Sequence, residues 1–175
     1  MIKLVKPSIK YKKSYLLSLK EFQKEGRNLD LDYKKLSNDF DTFVQGLLDQ
    51  EKGVNLPKGY VPATVLWLVD TKNNQYLGRI SIRHNISTEK LKTINGHIGY
   101  EICPLQRKKG YGKKQLKFAL PVVKKLGIKK ALITCNEDNI GSKKIIESCG
   151  GVFESEFNEG KNKPKKLRYW INIKN

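Results

Sequence analysis

Apolar residues recur along this chain at two spacings, and each change of spacing marks a change of element. IKLV (2–5) has the length and alternation of a short strand. From residue 7 to 26, Tyr11, Tyr15, Leu16, Leu19 and Phe22 lie three and four apart, which predicts a helix capped by Ser8 and stopped by Gly26. A second helix is predicted over 37–50, where Phe40, Phe43, Val44, Leu47 and Leu48 share one face. KGVNLPKGYVP (52–62) reads as a loop from its glycines and prolines. Dense apolar runs then predict strands at 63–71 and 76–86, joined by Lys72–Gln75, and a third at 97–103 after a polar loop. A helix over 111–126 places Leu116, Ala119, Leu120, Val123 and Leu126 on its buried side, and Pro121 within it predicts a kink or a fresh start near Leu120. Gly127 ends it, and KKALITC (129–135) is a buried strand. Asn139 is placed to cap a short helix over 141–149 that stops at Gly150-Gly151. Residues 152–158 and 167–173 close the chain as an antiparallel pair around a polar loop.

The order β-α-α-β-β-β-α-β-α-β-β mixes hairpins with one strand–helix–strand crossover, which makes 129–135 the parallel partner of 97–103. The expected class is α/β of the α+β kind. No repeat or linker interrupts the order, so residues 1–175 are expected to form one domain.

Composition adds limits. Hydrophobic residues make up 38% of the chain, enough to build a core, and no apolar run reaches the length of a membrane span. The start, MIKLVKPSIKYKK, lacks an apolar stretch of signal-peptide length, so a cytoplasmic location is expected. Cys103, Cys135 and Cys149 are odd in number and have no CxxC spacing, which argues against a disulfide framework and a zinc site. Lys and Arg number 35 against 17 Asp and Glu, a formal net charge of +18. Such an excess suits an anionic partner such as nucleic acid, a ribosome or a phosphorylated ligand. The excess is nearly all Lys, with Asn and Ile also frequent, as an A/T-rich coding bias produces; base reading would favour the planar fork of Arg.

The most informative stretch is CPLQRKKGYGKK (103–114), at the junction of a strand and a helix. A helix start leaves N–H groups unpaired and carries partial positive charge, and Gly110 and Gly112 let the backbone approach an anion closely. Arg107, Lys108 and Lys109 add charge. A Walker loop ending at Gly112-Lys113 requires Gly at 107 and Ser or Thr at 114, where the chain has Arg107 and Lys114. A dinucleotide fingerprint from Gly110 requires Gly or Ala at 115, where the chain has Gln115. Neither fits.

RKKGYG (107–112) does have the form [RQ]xxGx[GA]. It follows a strand ending in Cys103-Pro104 and opens a helix leading to a strand that ends at NEDNIGSKKIIESCGGVF. In these features, from about Ile80 to Phe157, the chain resembles the GCN5-related N-acetyltransferase (GNAT) superfamily. The resemblance implies a mixed, mostly antiparallel sheet of six to seven strands, splayed at an acetyl-CoA site and flanked by about four helices. It further implies that the pantetheine arm lies in the gap between 97–103 and 129–135, paired with backbone near Ile102, Cys103 and Pro104. Arg107, Lys108, Lys109, Gly110, Tyr111 and Gly112 would take the pyrophosphate, and Asn139, with Ser142 near it, would reach the arm from the other side. Residues 27–61, with Tyr33, Phe40 and Tyr60, would shape an acceptor pocket.

Acetyl transfer needs a neutral amine, a polarised thioester carbonyl and a proton for the departing thiolate. Much of the family supplies that proton from a tyrosine on the helix after the cofactor strand; the matching position here is Ile146. Two residues are candidates for the base, His97 for its near-neutral pKa and Glu101 on the same strand face, with Gly99 between them. A strand bulge, also implied by the resemblance, would break that parity. The expected activity is transfer of acetyl from acetyl-CoA to a primary amine on a small molecule, a peptide N-terminus or a lysine, by a monomer or homodimer without metal or membrane. The alternative is a non-catalytic protein of the same fold that binds nucleic acid or the ribosome through its basic surface.

Overall fold

The computed structural model describes residues 1–174, and the two spacings become seven strands and five α-helices among them. β1 (Ile2–Val5) leads through a 3-10 turn into α1 (Lys12–Lys24). Ser8 caps that turn by accepting the Lys10 N–H, and Gly26, at φ +73°, ends α1 so that Arg27 N–H reaches the Phe22 carbonyl. There follow α2 (Tyr33–Asn38), α3 (Phe40–Lys52), β2 (Ala63–Asp70) and β3 (Gln75–Arg83). A single π turn (Leu91–Asn95) precedes β4 (Ile98–Ile102); then come α4 (Tyr111–Lys125), β5 (Lys130–Asn136), α5 (Ile140–Ser148), β6 (Gly151–Phe157) and β7 (Lys166–Asn172).

Two details depart from the periodicity. Residues 37 and 38 belong to α2, a six-residue helix capped by Asp32, whose Oδ1 accepts the Lys35 N–H at 2.9 Å. It is too short to display an apolar face in sequence. α4 runs unbroken through Pro121, with no fresh start at Leu120.

The sheet order is β1-β2-β3-β4-β5-β7-β6, antiparallel except between β4 and β5. α4 and α5 cover one face around Ile80, Ile82, Ile98, Leu116 and Ile133. α1, α2 and α3 cover the other around an aromatic cluster in which Tyr15 stacks on Trp67 at 5.1 Å. β4 and β5 pair at one position only, Ile98 with Ile133, beside a bond from His97 N–H to the Leu132 carbonyl. Past that point β4 keeps only β3, and the sheet opens. β4 itself carries no bulge, its register with β3 running unbroken from Ile82–Ile98 to Gly78–Ile102. Strand parity therefore holds: Gly99 and Glu101 face the α1–α3 side, and Ile98, Tyr100 and Ile102 face α4 and α5.

Candidate active site

Where β4 leaves β5, a cleft of about 800 Å³ opens between them. Tyr100 and Ile102 line it from β4, residues 106–108 and 110–113 from the loop and first turn of α4, and Asn136, Asn139, Ser142 and Ile145 from the β5–α5 side. Its origin is the missing backbone pairing: the edge of β4 that would bond β5 is left facing open space.

The loop's geometry suits an anion. Gly110 sits at φ +77° as the N-cap of α4, with no side-chain cap on the helix and open space where a Cβ would stand. Lys108 is also left-handed, at φ +61°, a conformation that costs a non-glycine residue roughly 1–2 kcal/mol. Left-handed residues in such a loop turn successive N–H groups into a concavity that favours negative charge. The leading N–H groups of α4 have no acceptor within the helix and add its positive end. Lys108 and Lys113 line the cleft, and among the described residues neither has a carboxylate partner. Arg107 is different: its fork holds Glu25 at 2.9 and 2.8 Å and its Nε reaches the Ile102 carbonyl at 3.3 Å, strapping the loop to the end of α1.

Of the residues expected to hold the cofactor, Ile102, Arg107, Lys108, Gly110, Tyr111, Gly112, Asn139 and Ser142 line the cleft. Cys103, Pro104 and Lys109 do not. Cys103 is 2% exposed, its N–H donates to the Leu77 carbonyl and its own carbonyl accepts from Gln106. Its thiol faces the α1 layer, where it accepts from Ser18 Oγ at 2.9 Å, and burial pushes it up to about 12. Pro104 opens a 3-10 turn and its carbonyl accepts from Arg107, while Lys109 Nζ donates to Gln106. Asn139 does cap α5, its Oδ1 accepting the Ser142 N–H at 3.0 Å.

The proton-handling candidates separate. Among the described residues Glu101 is the one acidic side chain lining the cleft. Its carboxylate is 10% exposed and clamped between Arg27 (3.0 Å) and Arg79 (3.1 Å). His97 lies outside the cleft lining and is 8% exposed. Its Nδ1 accepts the Leu132 N–H at 3.0 Å, so the neutral ring carries its proton on Nε2 and has no free lone pair. Burial, aided by the charge of Arg83, lowers its pKa and keeps the ring neutral. Ile146 is fully buried in the core; its neighbour Ile145 lines the cleft from α5, as Ser142 does.

Tyr100 joins the cleft residues without having been among the sequence candidates. Its hydroxyl lies in the cleft, 2.8 Å from Ser142 Oγ, and burial raises its pKa above the ordinary phenol value. Strand alternation, placing it on the face of Ile98 and Ile102, was the signal available. Of the expected lid residues, Tyr60 lines a second cavity on the α1–α3 side, Phe40 is core, and Tyr33 packs under Lys20 at 4.3 Å.

Comparison with known proteins agrees with this geometry. The family model described as "Acetyltransferase (GNAT) domain" matches residues 39–152. Among curated proteins, none matches the sequence. Solved structures resemble the whole fold at low identity. A microcin self-immunity acetyltransferase, MccE, in complex with acetyl-CoA and AMP, is 18% identical with a TM-score of 0.70, covering 98% of this chain and 92% of its own. An acetyltransferase from Salmonella typhimurium that modifies the N-terminal serine of a 50S ribosomal subunit protein is 16% identical with a TM-score of 0.68, covering 99% and 95%. A chimera of the Vibrio cholerae spermidine N-acetyltransferase SpeG is 14% identical with a TM-score of 0.64, covering 98% and 95%.

Proposed function

The chain belongs to the GNAT acetyltransferase family, and from that premise we propose that it transfers an acetyl group from acetyl-CoA to a primary amine bound beside Glu101. The observation that carries the proposal is the cleft itself: a sheet opened at one strand pair, with an uncapped helix start and unpaired lysines at its mouth. The acceptors named for the similar structures, a peptide N-terminus and a polyamine, differ from one another and do not choose one here.

In this reading the N–H groups from Lys108 to Gly112, with Lys113, hold the diphosphate of acetyl-CoA. The edge of β4 near Ile102 and the Asn139 side face its arm. The amine nitrogen bonds to the acetyl carbon as the carbon–sulfur bond breaks. The amine's proton passes to Glu101, directly or through water, because a carboxylate oxygen paired with one Arg retains a second lone pair. The sulfur receives a hydrogen bond and then a proton from Tyr100 Oη, which the Ser142 hydroxyl holds in place. Tyr100 thus stands in for the tyrosine absent from α5, reaching the same gap from β4. His97 serves as a strand-pairing residue that holds β4 against β5 at the point of divergence.

The basic surface has a simpler use in steering an anionic co-substrate, and no observation at the cleft favours the nucleic-acid alternative. The test is an acetyl-transfer assay over a panel of primary amines with wild type and Glu101→Gln. Turnover in the wild type, reduced about 10²-fold in kcat by the variant at unchanged acetyl-CoA affinity, is the expected result. Acetyl-CoA binding with no amine acetylated, or an unaffected variant, contradicts the reading.

A further inference from the structure

A second cavity, of about 510 Å³, lies on the α1–α3 side of the sheet, and the acyl-donor cleft adjoins it at one ion-pair row. Arg27 and Glu101 line the cleft; Arg79, bonded to the same Glu101 carboxylate, lines the cavity. Register explains the arrangement. Arg79 stands opposite Glu101 and Ser81 opposite Gly99 on adjacent strands, so Arg79, Ser81 and Arg83 all project to the face that Glu101 occupies.

The cavity has more positive than negative groups. Arg79, Arg83 and Lys90 line it, against one acidic residue, Asp30. Arg79 is already committed to Glu101. Arg83 lies over Gly99, its NH1 and NH2 in van der Waals range of where a Cβ there would stand, and its NH1 donates to the Gly96 carbonyl at 3.1 Å. Among the described residues no carboxylate pairs with Arg83 or Lys90. Burial, with the charge of Arg79 added to it, depresses the pKa of Arg83, which marks a half-buried cation lacking a counter-charge. Ser81 and Thr88 add hydroxyl donors, and Tyr15 and Tyr60 give apolar sides.

We propose that this second cavity is the acceptor site and that it selects a small primary amine carrying an oxyanion, carboxylate or phosphate, gripped by Arg83 and Lys90. The inference deepens the acetyltransferase reading and rests on it for the fate of the amine. Gly99 and Glu101 are two residues apart on one strand, about 7 Å. An oxyanion on Arg83 therefore places an amine a few methylenes away next to Glu101 and the open edge of β4. The surrounding guanidinium groups disfavour a second positive charge, so they also favour the neutral, nucleophilic form of that amine.

The test uses four probes of similar reach: γ-aminobutyrate, aminopropyl phosphate, butylamine and diaminobutane. Each is titrated calorimetrically into the protein loaded with CoA and into the free protein, with wild type, Lys90→Gln, Arg83→Lys and Arg83→Gln. The two anionic probes are expected to bind at least about tenfold more tightly than butylamine, the worth of one charge-assisted hydrogen bond, with diaminobutane weakest. A stronger response to the phosphate or to the carboxylate arm tells the two oxyanions apart. Lys90→Gln and Arg83→Gln should each lose most of the preference, while Arg83→Lys, which keeps the charge and so guards against a folding defect, retains part of it. Equal binding of all four probes, tightest binding of diaminobutane, or a preference indifferent to both residues overturns the inference. Failure of CoA to bind while the anion preference persists would instead count against the acetyltransferase reading and leave the oxyanion site standing.

Discussion

Tyr100 and Glu101 are neighbours in sequence that face opposite sides of the sheet, and the proposed chemistry depends on that opposition. Tyr100→Phe removes one hydroxyl from the cleft and leaves the ring packing in place. We expect kcat to fall about 10–10²-fold with acetyl-CoA affinity little changed, measured by steady-state kinetics beside a binding titration. Because burial raises the Tyr100 pKa, the phenol stays protonated through the ordinary alkaline range, so the wild type should show no loss of kcat from this group between pH 7 and 9. At this scale the sequence was readable where a residue type is demanded locally. Gly110 is such a case, since its left-handed φ at an uncapped helix start follows from the glycine spacing. Partners remote in the chain were not readable: Arg27 lies 74 residues from Glu101, and nothing in the periodicity brings them together. His97 shows the converse, because a near-neutral side chain suggests a base until its Nδ1 is found accepting a backbone N–H.

At the scale of elements, the cleft exists because β4 is held by β3 on one side and released by β5 on the other. Gly78 secures the first contact. A Cβ there would lie 2.3 Å from the Glu101 carbonyl and 3.0 Å from the Ile102 Cα, both backbone atoms that cannot swing aside. Gly78→Ala should therefore push β4 away from β3, lowering stability by about 1–3 kcal/mol and weakening acetyl-CoA binding as well, read by thermal denaturation and titration of the same preparation. Strand and helix order was legible from spacing alone, as was the parallel pairing of β4 with β5. The divergence of those strands was expected only from the family resemblance and not from spacing, since apolar alternation reports which face is buried and not how far a pairing continues. The short α2 and the π turn before β4 escaped for a related reason: five or six residues are too few to show a helical face.

For the molecule as a whole, stability carries a signature of its buried acids. Burial raises Cys103 from 9.0 to about 12 and Tyr15 from 10.0 to about 12. Both pKa values are higher folded than unfolded, so the folded state binds more protons above pH 9; stability is whole below that pH and is lost as pH climbs toward 12. At pH 10.5 the Cys103 share alone is about 2 kcal/mol, the cost of unfolded-state ionisation that the fold forbids. A Cys103→Ala variant should show that much less of the alkaline fall in stability, followed by thermal or denaturant unfolding at pH 7 and 10.5. The +18 charge belongs to this scale too. It strengthens attraction to an anionic co-substrate at low salt without specifying one, which is why composition alone could not separate an acetyltransferase from a nucleic-acid binder.

The opening between β4 and β5, with Gly110 at its mouth, is proposed above as the acetyl-CoA site. The most direct measurement is calorimetric titration of acetyl-CoA into wild type and Gly110→Asp at one fixed ionic strength. Gly110→Asp places a carboxylate and a strained φ where the diphosphate would sit, and no heavy atom lies within 4 Å to be disturbed. Saturable one-to-one binding by the wild type, weakened about 10²-fold or more in a variant that melts within a few degrees of it, is the expected result. Undetectable binding by the wild type, or equal binding by both, would contradict the assignment.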